Sequence, residues 1–342
     1  MSTPRDQVRR DLARSIVGAF ARLGLAPRKR CSAAVLLCLV VACLPIAARA
    51  ADAASAAPTH LLLVAPRVDA DRAQQIRAGC ERIGQAEPVE CRLIETAELA
   101  TDRWLTQVST PPYNVIIAML DPAGFSTGLV RQIESRSIPV IAVDVALEFP
   151  RPVAFIGVNN RDLGRKIAEA LHRFRPEGGT YSVVTDSLDQ PISQERLSGL
   201  VDGLRGNWTP GRQPVVETAG DADRAADRVA ELLRQAGSGS PVSAIVSLGV
   251  WPMLSLTRWP ELVAANRLRI ERRETLLIFA DALPAQVAQL RDGQVHALVS
   301  VDAANLGLAA ARLARRLTVR DPVPRITYVQ IDILTRDKVK LK

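Results

Sequence analysis

The stretch FIGVNNRDLGRKIAEAL, residues 155–171, joins a short buried strand directly to an amphipathic helix. Its first four residues form an apolar run, and the apolar residues of the helix recur at the spacing of a single face: Ile167, Ala168 and Leu171. Two asparagines, Asn159 and Asn160, stand at the junction, where either can cap the helix. A strand that passes straight into a helix is the building unit of α/β folds, so the role of the second asparagine depends on where the junction lies.

Strands and helices of the same kind alternate along most of the chain. HLLLVA, residues 60–65, opens a first set with a continuous apolar run, which is typical of a parallel strand covered on both faces. That set closes with PVIAVDV at residues 139–145, and a second set runs from AFIGV at residues 154–158 to ALVSV at residues 297–301. Repeated βα units predict an α/β fold of two lobes, each a doubly wound parallel sheet.

Polar side chains follow many of these predicted strands. Ligands of parallel α/β proteins bind in the crevice just beyond the carboxyl ends of the strands. The residues at those positions are mainly acids and amides: Pro66–Asp69, Asp121, Asp144, Asn159, Asn160, Asp186, Gly249, Asp281 and Asp302. We therefore predict a binding site at this edge of the sheets.

The first 50 residues have the composition of a secretory leader. They hold nine Lys and Arg against two Asp and Glu, whereas the rest of the chain holds 35 against 34, so the net charge of +8 belongs almost entirely to them. A basic segment ending in RKR precedes the apolar stretch SAAVLLCLVVACLPIA, and ARA stands before Ala51, as signal peptidase requires. We predict a cleaved signal peptide at residues 1–50, a linker at residues 51–58 and a protein that works outside the cytoplasm.

Two alternatives for this leader stay open. One is an uncleaved membrane anchor, although the apolar stretch of 16 residues is shorter than the ~20 that a spanning helix needs. The other is lipoprotein processing, because VVAC places a small residue before Cys43.

Cleavage of the leader at residue 50 leaves two cysteines in the chain, Cys80 and Cys91. The apolar patterns of the helix that carries Cys80 and of the strand that carries Cys91 predict that both point inward. A disulfide between them closes a loop of 12 residues, which contributes ~3 kcal/mol in the loop-entropy model. The alternative, that both are small core hydrophobes, also stays open.

Motifs of catalysis and nucleotide binding do not occur in the sequence. It contains no G-x-S-x-G elbow, no Walker loop and no glycine-rich dinucleotide fingerprint. His60, His172 and His296 have no Cys, Asp or Glu at metal-ligand spacing. The basic cluster RLRIERRE at residues 267–274 lacks interleaved aromatic residues, so it is a solvated connection. We predict that the protein is not an enzyme, has no catalytic residue, binds no metal or cofactor and has no nucleic-acid partner.

Several segments together resemble a known family in their order and spacing. They are IPVIAVD, IGVNNRDLGRKIAEAL, QPISQERLSGLVDGL, AIVSLG and LIFADALPAQVAQLRDGQVHALVSVDAANLGLAAARLA. Over about residues 60–340 the chain resembles the periplasmic sugar-binding proteins of ABC transporters, of the ribose- and galactose-binding type, whose fold is shared with the effector domains of lactose-repressor-family regulators.

This resemblance implies a periplasmic binding protein type 1 fold, in which two lobes are joined by a three-crossing hinge and close over a ligand. The implied N-terminal lobe comprises residues 59–158 and 302–322, and the implied C-terminal lobe comprises residues 159–301 and 323–342. The crossings fall near Asn159, near Val301 and before the last strand. At the first crossing a polar group has to cap a helix and line the cleft at once.

The resemblance also implies a set of ligand-binding residues. Asp144 matches an acid that accepts hydrogen bonds from sugar hydroxyls, Arg196 matches an arginine that reaches into the cleft, and Asp281 matches an aspartate of the second lobe. Asn159 lies where the family usually has aspartate. The loop PRVDAD offers Arg67 and Asp69 where the family has an asparagine and a stacking aromatic residue.

Three positions depart from the family pattern. Val145, Gly249 and Val301 stand where an arginine, an asparagine and a glutamine are expected. Each buried sugar group left unpaired costs ~1–3 kcal/mol, so a standard monosaccharide ligand is disfavoured. Trp251, two residues beyond Gly249, can supply an apolar stacking face.

The function implied by the resemblance is that of a monomeric solute-binding protein of an ABC import system. It binds a small polar or sugar-like ligand by hinge closure and delivers it to an ABC permease in the inner membrane. The alternative is a periplasmic sensor subunit that signals to a membrane receptor kinase, which suits the altered sugar site. A DNA-binding regulator is disfavoured, because the leader occupies the ~50 residues that its helix-turn-helix needs.

Overall fold

A computed structural model describes most of the chain beyond the predicted leader. The described residues are 58–66, 70–83, 89–95, 113–119, 131, 133–144, 151–204, 206–236 and 242–340. The predicted signal peptide and nearly all of the predicted linker lie outside them. None of the helices in the described ranges has the length and apolarity needed to cross a membrane.

The described residues form strands of three to ten residues, most of them rich in apolar side chains. In chain order they are β1 (Thr59–Ala65), β2 (Val89–Glu95), β3 (Val115–Ala118), β4 (Val140–Val143), β5 (Ala154–Gly157), β6 (Gly179–Thr185), β7 (Trp208–Glu217), β8 (Ala244–Ser247), β9 (Leu276–Ala280), β10 (Ala297–Val301), β11 (Ile326–Tyr328) and β12 (Ile331–Thr335).

Helices separate most of these strands, as the alternating pattern predicts. In chain order those described are α1 (Ala70–Cys80), α2 (Asn160–Phe174), α3 (Pro191–Gly203), α4 (Ala222–Ala236), α5 (Trp251–Leu254), α6 (Arg258–Glu271), α7 (Pro284–Arg291), α8 (Ala303–Thr318) and α9 (Arg336–Lys340).

The strands form two sheets with matching strand orders, and the predicted fold class is confirmed. Among the described residues the first sheet has the order β11-β5-β4-β3-β1-β2 and the second has the order β12-β10-β9-β8-β6-β7. All pairs of the first sheet are parallel. In the second sheet only β12, which runs antiparallel to β10, departs from the parallel direction.

Both sheets are buried on both faces. In β1, Leu61 and Leu63 belong to the core on one face, where α1 and α8 pack, whereas Leu62 belongs to the core on the other face. In β6, Val183 and Val184 divide between two faces in the same way. All five side chains are fully buried, and each contributes about 1.5–3 kcal/mol relative to an exposed position.

Within the described residues the chain passes between the two sheets at three places. The strand β5 leads into α2, β10 leads into α8, and β11 leads into β12. In the first two, a strand leaves one sheet at its carboxyl end and enters a helix of the other lobe. Since helices and strands run in opposite directions in such a lobe, the carboxyl edges of both sheets adjoin at these crossings.

The third crossing lies further along the chain than the sequence predicts. The segment RITYVQIDIL, residues 325–334, forms two strands: Ile326 pairs with Phe155 in the first sheet, and Ile331 pairs with Val301 in the second. The predicted lobe boundary at residue 323 is therefore corrected, because the chain reaches Tyr328 before it leaves the first sheet.

Close helix contacts hold the two crossing helices against their lobes. A Cβ on Gly164 of α2 would come within 2.0 Å of the carbonyl oxygen of Arg196 in α3. A Cβ on Gly307 of α8 would come within 1.8 Å of the carbonyl oxygen of Ile76 in α1. Both positions therefore need glycine, and α2–α3 and α8–α1 are equivalent helix pairs in the two lobes.

His296 is a buried residue of the second lobe whose side chain is satisfied by the backbone. Its Nδ1 accepts a 2.8 Å hydrogen bond from the Leu277 amide, which leaves the proton on Nε2, and Nε2 donates to the Ile270 carbonyl at 3.0 Å. Burial, reinforced by the nearby charges of Arg273 and Arg175, lowers the pKa of His296 from 6.5 to about 4. The imidazole is therefore structural and neutral.

Acidification should destabilise the protein through His296. Between pH 6.5 and about 4 the unfolded chain binds a proton at this imidazole that the folded chain does not, so the free energy of unfolding falls as the pH is lowered through this window. The difference between the two pKa values corresponds to a loss of ~3 kcal/mol in the free energy of unfolding. We expect urea unfolding to show that the His296→Gln variant is less stable than the wild type at pH 7. On acidification, the free energy of unfolding of the variant should fall by less than that of the wild type. Equal pH dependence in both proteins would contradict this account.

Candidate functional site

Asp281 follows β9 and holds a buried arginine from a neighbouring helix. Its backbone has a φ of 66°, in the left-handed region that aspartate tolerates better than most residues. Arg196 of α3 binds the carboxylate through both terminal nitrogens: Nη1 donates to Oδ2 at 2.7 Å and Nη2 donates to Oδ1 at 3.2 Å. The Arg196 side chain is 10% exposed and that of Asp281 is 30% exposed, so the carboxylate keeps an open side.

Arg196 also binds two other segments of the second lobe. Its Nε donates to Oδ1 of Asn160 at 3.0 Å, and its Nη1 donates to the carbonyl oxygen of Leu248 at 2.6 Å. The second asparagine of the junction is thus an acceptor for a buried guanidinium. Because most of its N–H groups are used inside the lobe, Arg196 positions the site and offers few donors to a ligand.

The first lobe carries a similar pair. Asp144 follows β4 with a φ of 69°, and its Oδ2 accepts a 2.6 Å hydrogen bond from Nε of Arg72 in α1. The side chains of Arg72 and Asp144 are 12% and 24% exposed. Arg72 is absent from the predicted site residues, although it stands four residues before the buried Ile76, just as Arg196 stands four residues before the buried Leu200.

These two pairs occupy equivalent places in the two sheets. The strands β4 and β9 are each third in their sheet, and β1 and β6, which precede α1 and α3, are each fifth. Both aspartates therefore lie at the carboxyl edges that adjoin at the crossings. The strand orders relate Asp144–Arg72 to Asp281–Arg196 as two copies of one arrangement.

The two crossings into helices are also alike. Oδ1 of Asn159 accepts a 3.0 Å hydrogen bond from the Asp162 amide at the start of α2. Oδ1 of Asp302 accepts a 2.9 Å hydrogen bond from the Ala304 amide at the start of α8. Each cap satisfies an amide at the helix start that has no partner within the helix, so Asn159 acts as the expected N-cap.

Trp251 lies at the same edge of the second sheet, at the start of α5. It is half-buried and packs against the cores on both faces of the sheet. A Cβ on Gly249 would come within 2.5 Å of the Trp251 ring. The glycine that replaces the family's asparagine therefore makes room for the indole, and only part of the ring is open to solvent.

Among the positions singled out by the resemblance, one more is buried and three are not described. Val301 is 5% exposed and belongs to the core. Arg67, Asp69 and Val145 lie outside the described residues. The described part of the edge therefore includes two carboxylates held by arginines, the Asn159 cap and the partly covered Trp251 ring. Asp186 and Asp302 also follow strands of the second sheet, and they accept hydrogen bonds from the Ser193 hydroxyl and the Ala304 amide.

The exposed chemistry of this edge is that of hydrogen-bond acceptors. Each aspartate is neutralised by its own arginine and keeps lone pairs that its partner does not use. The matching molecule is one that donates several hydrogen bonds and carries no negative charge, because an anion would face two carboxylates. Groups of three or more His, Cys, Asp or Glu that could hold a metal ion are absent from the described ranges.

A cavity of about 640 Å³ lies elsewhere, at the edge of the second sheet where its parallel strands begin. Its lining includes Phe174, Arg273 and His296. It is separate from the Asp–Arg pairs, which lie at the ends of the strands.

The family model for a periplasmic binding protein domain matches residues 62–320. No curated protein matches the chain in sequence. Among solved structures, GanP, a glucose-galactose binding protein from Geobacillus stearothermophilus, is 19% identical over 82% of this chain and 99% of its own, with a TM-score of 0.58.

Two further solved structures share the fold. AraP, an arabinose binding protein from Geobacillus stearothermophilus, is 18% identical over 82% of this chain and 98% of its own, with a TM-score of 0.64. A structure of the XylFII-LytSN complex matches with 14% identity over 83% of this chain and all of the matched chain, with a TM-score of 0.55.

Removal of the buried Arg196 guanidinium should lower the free energy of unfolding much more than removal of an exposed guanidinium. Arg196→Met leaves Asp281, Asn160 and the Leu248 carbonyl without their donor, and we expect a loss of ~3 kcal/mol in the free energy of unfolding. Arg161 is 52% exposed and paired with Asp202, so Arg161→Met should cost less than ~1 kcal/mol. Urea denaturation of both variants measures the difference. Equal losses would show that the buried guanidinium does not hold the lobe together.

Proposed function

The chain belongs to the periplasmic binding protein family, and from this membership we propose that it is the solute-binding protein of an ABC import system. The observation that carries the proposal is the duplicated Asp–Arg pair. Asp144 and Asp281 each expose part of a carboxylate at the edges that adjoin at the crossings. A ligand between the lobes would contact both, and hinge closure would remove it from water.

The ligand that suits these groups is an uncharged or cationic molecule with several hydroxyl donors, such as a sugar or a polyol. The carboxylates accept from hydroxyls, while the guanidinium of Arg196 spends its donors within the protein. GanP and AraP, which share the fold, are glucose-galactose and arabinose binding proteins, and this supports a sugar-like ligand. An acidic sugar is disfavoured by the two carboxylates.

Four further residues complete the proposed site. The side chain of Asn159 caps α2 through Oδ1, and its amide group would donate to the ligand. Trp251 would offer the open part of its ring to an apolar sugar face. Arg67 and Asp69 would contribute from the segment after β1.

The proposed setting is the periplasm, with delivery of the ligand to an ABC permease in the inner membrane. Residues 1–50 would be removed by signal peptidase, or the chain would be anchored through Cys43 as a lipoprotein. The protein would act as a monomer, because the two lobes of one chain supply the whole site.

The second candidate function is that of a sensor subunit for a membrane receptor kinase. A relative by fold has been solved in a complex, XylFII-LytSN, which favours a partner protein for this fold. Adjacent permease and ATPase genes would support transport, whereas an adjacent histidine kinase gene would support sensing.

Ligand binding should depend on both aspartates. A thermal-shift screen of the exported protein against pentoses, hexoses and polyols should find a compound that raises the melting temperature, because it binds only the folded state. Asp144→Asn and Asp281→Asn keep the shape of the side chain but weaken a charged acceptor, so calorimetry should give about 10-fold weaker binding for each.

The control for these variants is Asp202→Asn, which removes an exposed carboxylate paired with Arg161 on the helices. Its affinity should equal that of the wild type. Affinities unchanged in the Asp144 and Asp281 variants would contradict the proposed site, and a screen in which no sugar or polyol binds would contradict the ligand class.

A further inference from the structure

Cys80 and Cys91 lie together in the core of the first lobe. Cys80 ends α1, and Cys91 is in the middle of β2, the strand at one edge of the first sheet. Their exposed fractions are 0% and 7%, and both belong to the same core cluster. The end of α1 is thus packed against the sheet edge through these two cysteines.

Both cysteines are free thiols in the structure, and they belong to one core cluster between the end of α1 and β2. The neighbouring Cys91 side chain and burial raise the pKa of the Cys80 thiol, which makes Cys80 a poor nucleophile. Cys91 also lines a surface cavity together with Gln74 and Arg77 of α1 and the following Glu81. Cys91 keeps a small exposed fraction of 7%, whereas Cys80 has none, so Cys91 is the more accessible of the two residues.

We propose that Cys80 and Cys91 form a disulfide in the exported protein, which makes this contact a modification site between α1 and β2. The inference rests on the proposed export, because stable disulfides form in oxidising compartments. It does not depend on which ligand is bound, or on whether the protein serves transport or sensing.

The oxidant required is a protein or small molecule that carries a disulfide. The Cys91 thiolate attacks one sulfur of that disulfide, a mixed disulfide forms, and the other oxidant sulfur leaves as a thiolate. The Cys80 thiol then loses its proton and attacks the Cys91 sulfur, which releases the second oxidant sulfur. Two electrons pass to the oxidant, which leaves as a dithiol after taking up the two protons that the cysteines lost.

The bond would link β2, a strand at the edge of the first sheet, to α1, the helix that carries Arg72 of the proposed site. The strand β2 pairs with β1 on one side only among the described strands, and α1 also carries Arg72, which holds Asp144. A covalent link at the end of α1 would limit fraying of both elements. It would restrict the unfolded chain by a loop of 12 residues.

Peptide mapping tests the proposal directly. The full chain is expressed with its own leader, isolated from the extracytoplasmic fraction, denatured with an alkylating agent but no reductant, and digested with trypsin. Cleavage after Arg77, Arg82 and Arg92 separates residues 78–82 from residues 83–92. We expect these peptides as one disulfide-linked species that disappears on reduction. Recovery of both as alkylated free thiols would overturn the proposal.

Stability measurements provide a second test. A reductant should lower the melting temperature of the wild type by several degrees and leave that of the Cys80→Ser/Cys91→Ser variant unchanged. If the reductant shifts both proteins equally or neither, the bond is absent. The single variant Cys91→Ser should give an alkylated Cys80 without reductant, which controls for the completeness of labelling.

Discussion

The buried guanidinium of Arg196 fixes the arrangement of the carboxyl edge of the second sheet. It joins α3 to the end of β9 through Asp281, to the end of β8 through the Leu248 carbonyl and to the start of α2 through Asn160. Burial of a charged group costs free energy of desolvation unless the group is fully paired. Because Arg196 has to keep all of these partners, few other arrangements of the segments that carry them are possible. The close contact at Gly164 adds a steric limit to the same region, because it sets the separation of α2 from the backbone of Arg196.

The first lobe repeats this arrangement with Asp144 and Arg72, at equivalent strands and on an equivalent helix. In both lobes the aspartate has a left-handed backbone, which turns the chain out of the strand at the point where the carboxylate meets its arginine. Each half of the chain thus holds its own carboxylate in place through an arginine of the same lobe. At the proposed site, little ordering of these side chains would be left for a binding step.

Much of the fold could be predicted from apolar runs and strand-end residues, since parallel strands buried on both faces are continuous in sequence. The split of RITYVQIDIL into β11 and β12 could not, because Ile326 and Ile331 are equally apolar but pair with different sheets. The segment from Trp251 to Glu271 is likewise divided into two helices, α5 and α6. Between them the Ser255 hydroxyl donates to Asp223 and accepts from the Arg258 amide, and that tertiary contact has no local sequence signal.

The candidate site shows the same limit. Asp144, Asp281 and Asn159 were predicted at strand ends and lie there, and whether they contact a ligand stays a prediction. Arg72 was missed because its partner is 72 residues away in sequence, a separation that no local pattern reveals. The fit of the Trp251 ring into the space beside Gly249 is likewise a packing relation that appears only in three dimensions.

We propose that the two lobes close on a ligand held between the Asp144 and Asp281 carboxylates. Small-angle X-ray scattering of the exported protein, with and without millimolar pentoses and hexoses, measures this closure. A sugar that binds should reduce the radius of gyration, and the reduction should be lost in the Asp144→Asn/Asp281→Asn variant at the same sugar concentration. A radius that stays constant while calorimetry shows the wild type to be saturated would contradict closure.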